Sequence, residues 1–272
     1  MSSSIASLLS YPFIVRALIV GTLVALCSAL LGVSLVLKRY SMIGDGLSHV
    51  AFGAMALALA FDAAPLYVAI PVVVIAAFFL LKLSENSKIK GDSAIAMISS
   101  SALAIGVIVI STSKGMNTDV YNYMFGSVLS MGKSDVVLSL VLSAVVLVLF
   151  AVFYNKIFAI TFDESFAKAT GIRVGLYNML LAVLTAITIV VGMRMIGAML
   201  ISSLIIFPAL TAMRVCKSFR GVVLCSAVVS VLSFVIGVWI SFAFSLPTGA
   251  SVVVVNLGGF LLFTLAGKIK AH

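Results

Sequence analysis

The sequence predicts an all-α fold, a polytopic membrane protein of about nine transmembrane helices, on three observations. Of its 272 residues, 63% are apolar and 9% charged, whereas soluble domains run at about 45–50% apolar and about 25% charged. A water-soluble chain of this size has no interior large enough for that much apolar surface, so lipid must solvate most of it. Apolar stretches near the ~20 residues that cross a bilayer recur from end to end, and the basic residues concentrate in alternate gaps between them.

The first stretch, 13–37, follows a start (residues 1–10) with no basic n-region and no small-residue cleavage site, so it is expected to stay as an anchor. It ends at Lys38 and Arg39. The second covers 45–61 and the third 66–82, which the polar segment 82–93 closes. The fourth, 93–112, gives way to the polar segment 111–135, and the fifth, 135–155, to the polar segment 155–175. The sixth and seventh, 175–192 and 195–213, are parted only by a very tight connection marked by Gly192, Arg194 and Gly197. After the eighth, 221–245, the turn Leu246-Pro-Thr-Gly-Ala-Ser251 opens the ninth, 249–267. Nothing reads as a separate soluble domain, so residues 1–272 are expected to form one transmembrane domain.

The charge pattern is consistent with this count. With the N-terminus outside, the inner segments carry Lys38, Arg39, Lys82, Lys88, Lys90, Lys156, Lys168 and Arg173. They also carry Arg214, Lys217, Arg220, Lys268 and Lys270, thirteen in all. The outer segments hold four: Arg16, Lys114, Lys133 and Arg194. That bias is what the positive-inside rule demands of a multi-pass protein of the cytoplasmic (inner) membrane. It uses all 17 basic residues, so the net charge of +9 implies no nucleic-acid partner. Cys27, Cys216 and Cys225 lie in or beside apolar runs at spacings that fit neither a zinc ribbon nor a disulfide framework, and read as small hydrophobes in helix packing.

Chemistry-bearing residues are few. In Ser41-Met-Ile-Gly-Asp-Gly-Leu-Ser-His-Val-Ala-Phe-Gly53, Asp45 and His49 stand four apart and share a helix face. A carboxylate and an imidazole suit zinc or manganese. His49 is the only histidine besides the C-terminal residue, and ionisable groups inside a span are costly and usually face a pathway or partner. Gly44 and Gly46 flank the acid and allow close backbone approach. The competing reading makes Asp45 a first-turn acid favoured by the helix dipole and His49 a hydrogen-bonded packing residue. Two ligands are also too few for a transition-metal site; a two-fold dimer would supply four.

On the inner side, Thr161 and Glu164 have the spacing of a capping box and Gly171 is placed to end the helix. A helix of about two to three turns over 161–171 would then carry Phe162 and Phe166 on one face. Two aromatics on a short polar helix imply either contact with lipid headgroups or a docking surface for a cytoplasmic partner. Pro208 lies inside the seventh span, where it frees a carbonyl and kinks the helix; gating and plain packing both account for it. No Gly-x-x-x-x-Gly-Lys-Ser/Thr loop is present, so any ATP-driven motor would be another polypeptide.

At these residues the chain resembles the permease subunits of bacterial ABC-type zinc, manganese and iron importers. The matching segments are Leu37-Lys-Arg-Tyr-Ser-Met-Ile-Gly-Asp-Gly-Leu-Ser-His-Val50, Asp119-Val-Tyr-Asn-Tyr-Met-Phe-Gly-Ser-Val-Leu129, Thr161-Phe-Asp-Glu-Ser-Phe-Ala-Lys-Ala-Thr-Gly171, the stretch 191–214 with its Pro-Ala, and the Pro-Thr-Gly-Ala-Ser turn. The resemblance implies a homodimeric permease of type II importer architecture, with cytoplasmic ATP-binding subunits below and a metal-binding protein outside. It implies a channel metal site at Asp45 and His49, and no permanently bound cofactor, the divalent metal being cargo: zinc first, then manganese or iron. It makes 161–171, with Thr161, Phe162, Asp163, Glu164, Phe166 and Gly171, the element coupled to the ATPase. Where relatives often carry a small or Pro-Gly pair after the histidine, this chain has Val50-Ala51-Phe52-Gly53. Phe52 is therefore a candidate for narrowing or reshaping the pathway.

Two other classes fit less well. An intramembrane enzyme would need a His-Glu-x-x-His helix or a serine with a base; the first is absent and His49 is the one embedded imidazole. A secondary transporter driven by an ion gradient is compatible with the composition, and a partner ATPase is what separates it from the first reading.

Overall fold

A computed structural model describes residues 12–86, 91–112, 126, 132–198 and 201–270. The start of the chain, the segment 119–129 apart from Gly126, and the outer-side Lys114 lie outside the described residues. Eleven helices are described: α1 Pro12–Leu37, α2 Ser41–Ala60, α3 Pro65–Asn86, α4 Gly91–Thr112, α5 Lys133–Val152, α6 Tyr154–Phe162, α7 Glu164–Ala169, α8 Val174–Ile196, α9 Ile201–Met213, α10 Phe219–Phe244 and α11 Thr248–Lys270. Among the described residues there is no strand. Helical spans suit lipid, because each satisfies its backbone bonds internally.

Eight of these helices are long and apolar enough to cross a bilayer. The predicted sixth and seventh spans are redistributed. α8 continues through Arg194 to Ile196, and Gly197, at φ 97°, ends it in a conformation that favours glycine. α9 keeps only 13 residues, about 20 Å of helix against a hydrocarbon core of about 30 Å. The seventh apolar stretch is therefore a short helix following a tight reversal.

Two groups of helices share a common spine. α2 packs on α3 and α4; α9, α10 and α11 pack on one another; α1 and α8 lie between and touch both groups. Small residues permit the closest approaches. A Cβ on Gly32 of α1 would stand 2.0 Å from the Ile205 carbonyl oxygen of α9, and one on Gly53 of α2 would stand 2.7 Å from the Ala102 oxygen of α4. Hydroxyls add interhelical bonds: Ser230 Oγ donates to the Ala25 carbonyl at 2.9 Å and Ser226 Oγ to that of Ala29 at 3.4 Å. These contacts fix α2 and α9, the two helices that build the site described below.

The basic connections gather at one end. Lys38, beyond α1, pairs with Glu164 of α7. Phe219, opening α10, packs its ring 5.8 Å from Phe162 and 5.1 Å from Phe158. Gly267 of α11 lies against the Arg214 carbonyl. Segments 38–39, 156–173, 214–220 and the end of α11 thus share a side, and that is the side expected to be cytoplasmic. At another site, Arg194 of α8 pairs with Asp135 of α5. Reporter fusions at 82–93 and 214–220 should accordingly read cytoplasmic and one near Met116 extracytoplasmic; a cytoplasmic signal at Met116 would break this topology.

Candidate functional site

α2 opens at Ser41 after Tyr40, whose side chain caps nothing. Asp45 is therefore beyond the first turn, where helix-end donors and the dipole act, and no acid lies in that first turn. Its carboxylate is turned to side chains instead. Oδ2 stands 3.7 Å from His49 Nε2, and Oδ1 lies 3.4 Å from Ser202 Oγ, which donates to it from the first turn of α9. Asp45 is 37% exposed and His49 15%. His49 Nδ1 is buried with no hydrogen-bond partner among the described residues.

The Asp45–His49 separation is too long for a hydrogen bond. Two donors each about 2.0–2.2 Å from one tetrahedral ion stand roughly 3.3–3.6 Å apart, so a modest side-chain adjustment lets this pair share a cation. Among the described residues no third His, Cys, Asp or Glu joins them. The described residues thus offer two of the four donors that a tetrahedral site would need.

Phe52 stands on the same face of α2 as this pair by helical spacing. It is 2% exposed, with its ring closed over Gly106 of α4, where an added Cβ would come within 2.9 Å. Pro208 is buried in α9, six residues beyond Ser202. It withholds one donor from that helix, and the same short helix carries the Ser202 contact to Asp45.

The inner-side element departs from its expected construction. α6 runs on through Thr161, whose hydroxyl donates to the Ile157 carbonyl at 2.6 Å, because Ile157 and Ile160 are fully buried and hold that turn helical. The break falls at extended Asp163, and Asp163 Oδ1 accepts from the Phe166 amide at 2.9 Å. Asp163 is thus the cap, and Thr161 with Glu164 forms no capping box. The helix that results, α7, is six residues long. Gly171, at φ 83°, does terminate the segment, its amide donating to the Lys168 carbonyl. Phe162 and Phe166 are 60% and 65% exposed, but Phe162 belongs to α6 and leans on Phe158 and Phe219.

Glu164 is half exposed and turns one carboxylate oxygen toward the bundle. Its Oε1 accepts from Lys38 Nζ and from Asn178 Nδ2 of α8. Burial works to raise its pKa, but the bonds from Lys38 and Asn178 and the Lys38 charge outweigh it and hold the carboxyl below its ordinary 4.5. Its contribution is therefore complete above pH 4.5 and is lost as pH falls through the lowered value. Beside it lies an open groove of about 960 Å³ lined by Tyr40, Glu164, Ser165, Lys168, Arg173 and Asn178 among others. Ser202, Lys38 and Asn178 carried no sequence signal as site residues; they lie 157, 126 and 14 residues from the groups they serve.

Comparison with known proteins bears on this arrangement. The profile of the ABC 3 transport family matches residues 10–267. The manganese import system permease protein ScaB of Streptococcus gordonii is 30% identical over 265 residues, 97% of this chain and 95% of that one. The high-affinity zinc uptake system membrane protein ZnuB of Haemophilus influenzae is 29% identical, covering 90% of this chain and 94% of its own. Among solved structures, PsaBC from Streptococcus pneumoniae in complex with Fab superposes with a TM-score of 0.87 at 30% identity, over 98% of both chains.

Proposed function

The chain belongs to the ABC 3 transport family, and from that premise we propose that it is the membrane-spanning subunit of an ATP-driven importer of a divalent transition metal. It works as a homodimer, with a cytoplasmic ATP-binding subunit and an extracytoplasmic metal-binding protein. Residues 1–272 act as one permease domain, and α7 is its cytoplasmic coupling helix. The observation that carries this reading is the Asp45–His49 pair. It offers one oxygen and one nitrogen donor, 3.7 Å apart, within a membrane helix that holds no other ionisable group.

A two-fold axis beside α2 would bring in a second pair and complete four donors. Such a site suits both manganese and zinc. The expectation from resemblance placed zinc first; the two relatives above are named for manganese and for zinc, so the cargo is proposed as one of these two. Phe52 and Pro208 then bound the pathway on either side of the ligands, Phe52 as a closed aromatic wall and Pro208 as the weak point of α9.

Metal content of cells with the operon intact and deleted, measured for zinc, manganese and iron under chelation, tests the reading. One of zinc or manganese should fall in the deleted strain and recover on complementation. Unchanged levels of all three would remove the proposal.

A further inference from the structure

We infer that Lys38 is a positioning residue that joins the coupling helix to the metal-bearing helix, so that displacement of α7 is passed to α2. This rests on the reading of α7 and Asp45 given above and adds the physical connection between them.

The Lys38 side chain is 5% exposed although the residue sits in a connection at a membrane surface. Its ammonium has three donors, and all three are used across three elements. Nζ donates to the Ile160 carbonyl of α6 at 3.0 Å, to Asn178 Oδ1 of α8 at 2.8 Å and to Glu164 Oε1 of α7. Asn178 Nδ2 donates to the same Glu164 oxygen at 3.2 Å, which closes the triangle. A lysine placed for topology alone would extend into water; this one is drawn in and fully satisfied.

The link on the other side is short and stiff. Only Lys38, Arg39 and Tyr40 separate α1 from α2. Arg39 is held at φ 61°, a region a non-glycine residue seldom adopts. The amides of Lys38, Arg39 and Tyr40 all donate back to the last turns of α1, at 3.0, 3.1 and 2.8 Å. The Lys38 ammonium also lies 5.7 Å from the Tyr40 ring centroid. Asp45 follows five residues after Tyr40 on a continuous helix. A pull on Glu164 therefore reaches Asp45 through a braced elbow and one turn of helix. Glu164 stays half exposed on the groove side, where a docked partner can act on it.

The test uses the complete transporter, permease with its ATPase and binding protein, in proteoliposomes, reading metal imported per ATP hydrolysed. Lys38→Met should leave co-purification of the ATPase and its ATP turnover intact while lowering metal per ATP at least ten-fold. Lys38→Arg should restore the ratio. The exchange pair Lys38→Glu with Glu164→Lys should recover more of it than either single change, which distinguishes a lost link from a damaged fold. A normal ratio in Lys38→Met, or loss of the ATPase from that variant, would overturn the inference. Failure of the unaltered protein to couple ATP to metal uptake would instead overturn the functional reading on which it rests.

Discussion

Asp45→Asn and His49→Ala should each abolish metal-dependent growth under chelation while leaving the protein at normal abundance in the membrane. The asparagine keeps the size of the aspartate and removes its charge; the alanine removes the imidazole. Altering residues that merely support ligands commonly costs 10–100-fold in metal affinity, so loss of a ligand from a four-donor site should cost no less. The folded state gives little reason to expect collapse. Asp45 makes one long bond to Ser202 and a 3.7 Å approach to His49, and His49 Nδ1 bonds to nothing among the described residues. Groups so lightly used in folding are spare for a ligand. Normal transport by both variants at normal abundance would show that the pair is packing and that cargo passes elsewhere.

The second large effect is expected at the ATPase. Phe166 is 65% exposed on α7, beside the open groove, and burying such a ring at an interface is worth roughly 1.5–3 kcal/mol. Phe166→Ala should therefore weaken assembly about ten-fold or more, read as co-purification of the ATPase. Phe162, already leaning on Phe158 and Phe219, should matter less. Asp163→Ala removes the cap that presents Phe166 and should cost about 0.5–2 kcal/mol. Neither change touches Asp45 or His49. An undiminished yield with Phe166→Asp would show that α7 lies on lipid and that the ATPase docks elsewhere.

The fold was legible because composition dominates it. Long apolar runs and one-sided charge admit few other solutions. The tight connection was legible in Gly192, Arg194 and Gly197, but the boundary and the shortness of α9 were not, since Met193-Arg-Met-Ile-Gly-Ala-Met-Leu200 is apolar around one arginine and the backbone at Gly197 sets where α8 ends. The cap was misplaced for a similar reason. Thr161–Glu164 and Asp163–Phe166 both offer three-residue spacing, and burial of Ile157 and Ile160, a tertiary effect, decides that α6 lasts through Thr161. Asp45 and His49 stood out as the charged residue and lone imidazole of an apolar run. Their neighbour Ser202 is one of many serines in the sequence and gains meaning only when α9 folds against α2. Lys38 looked like an ordinary positive-inside residue; its buried side chain separates it from Arg39, Lys82, Lys156, Lys168 and Arg173, which are exposed.

The central claim, a metal pathway in this chain powered by ATP on another, is tested most directly by uptake into proteoliposomes. The permease is reconstituted with its cytoplasmic ATPase and supplied with its metal-loaded external binding protein. Accumulation of manganese or zinc should require ATP, persist when ion gradients are collapsed, and disappear with Asp45→Asn. Uptake by this chain alone, driven by a proton or sodium gradient and indifferent to ATP, would contradict it.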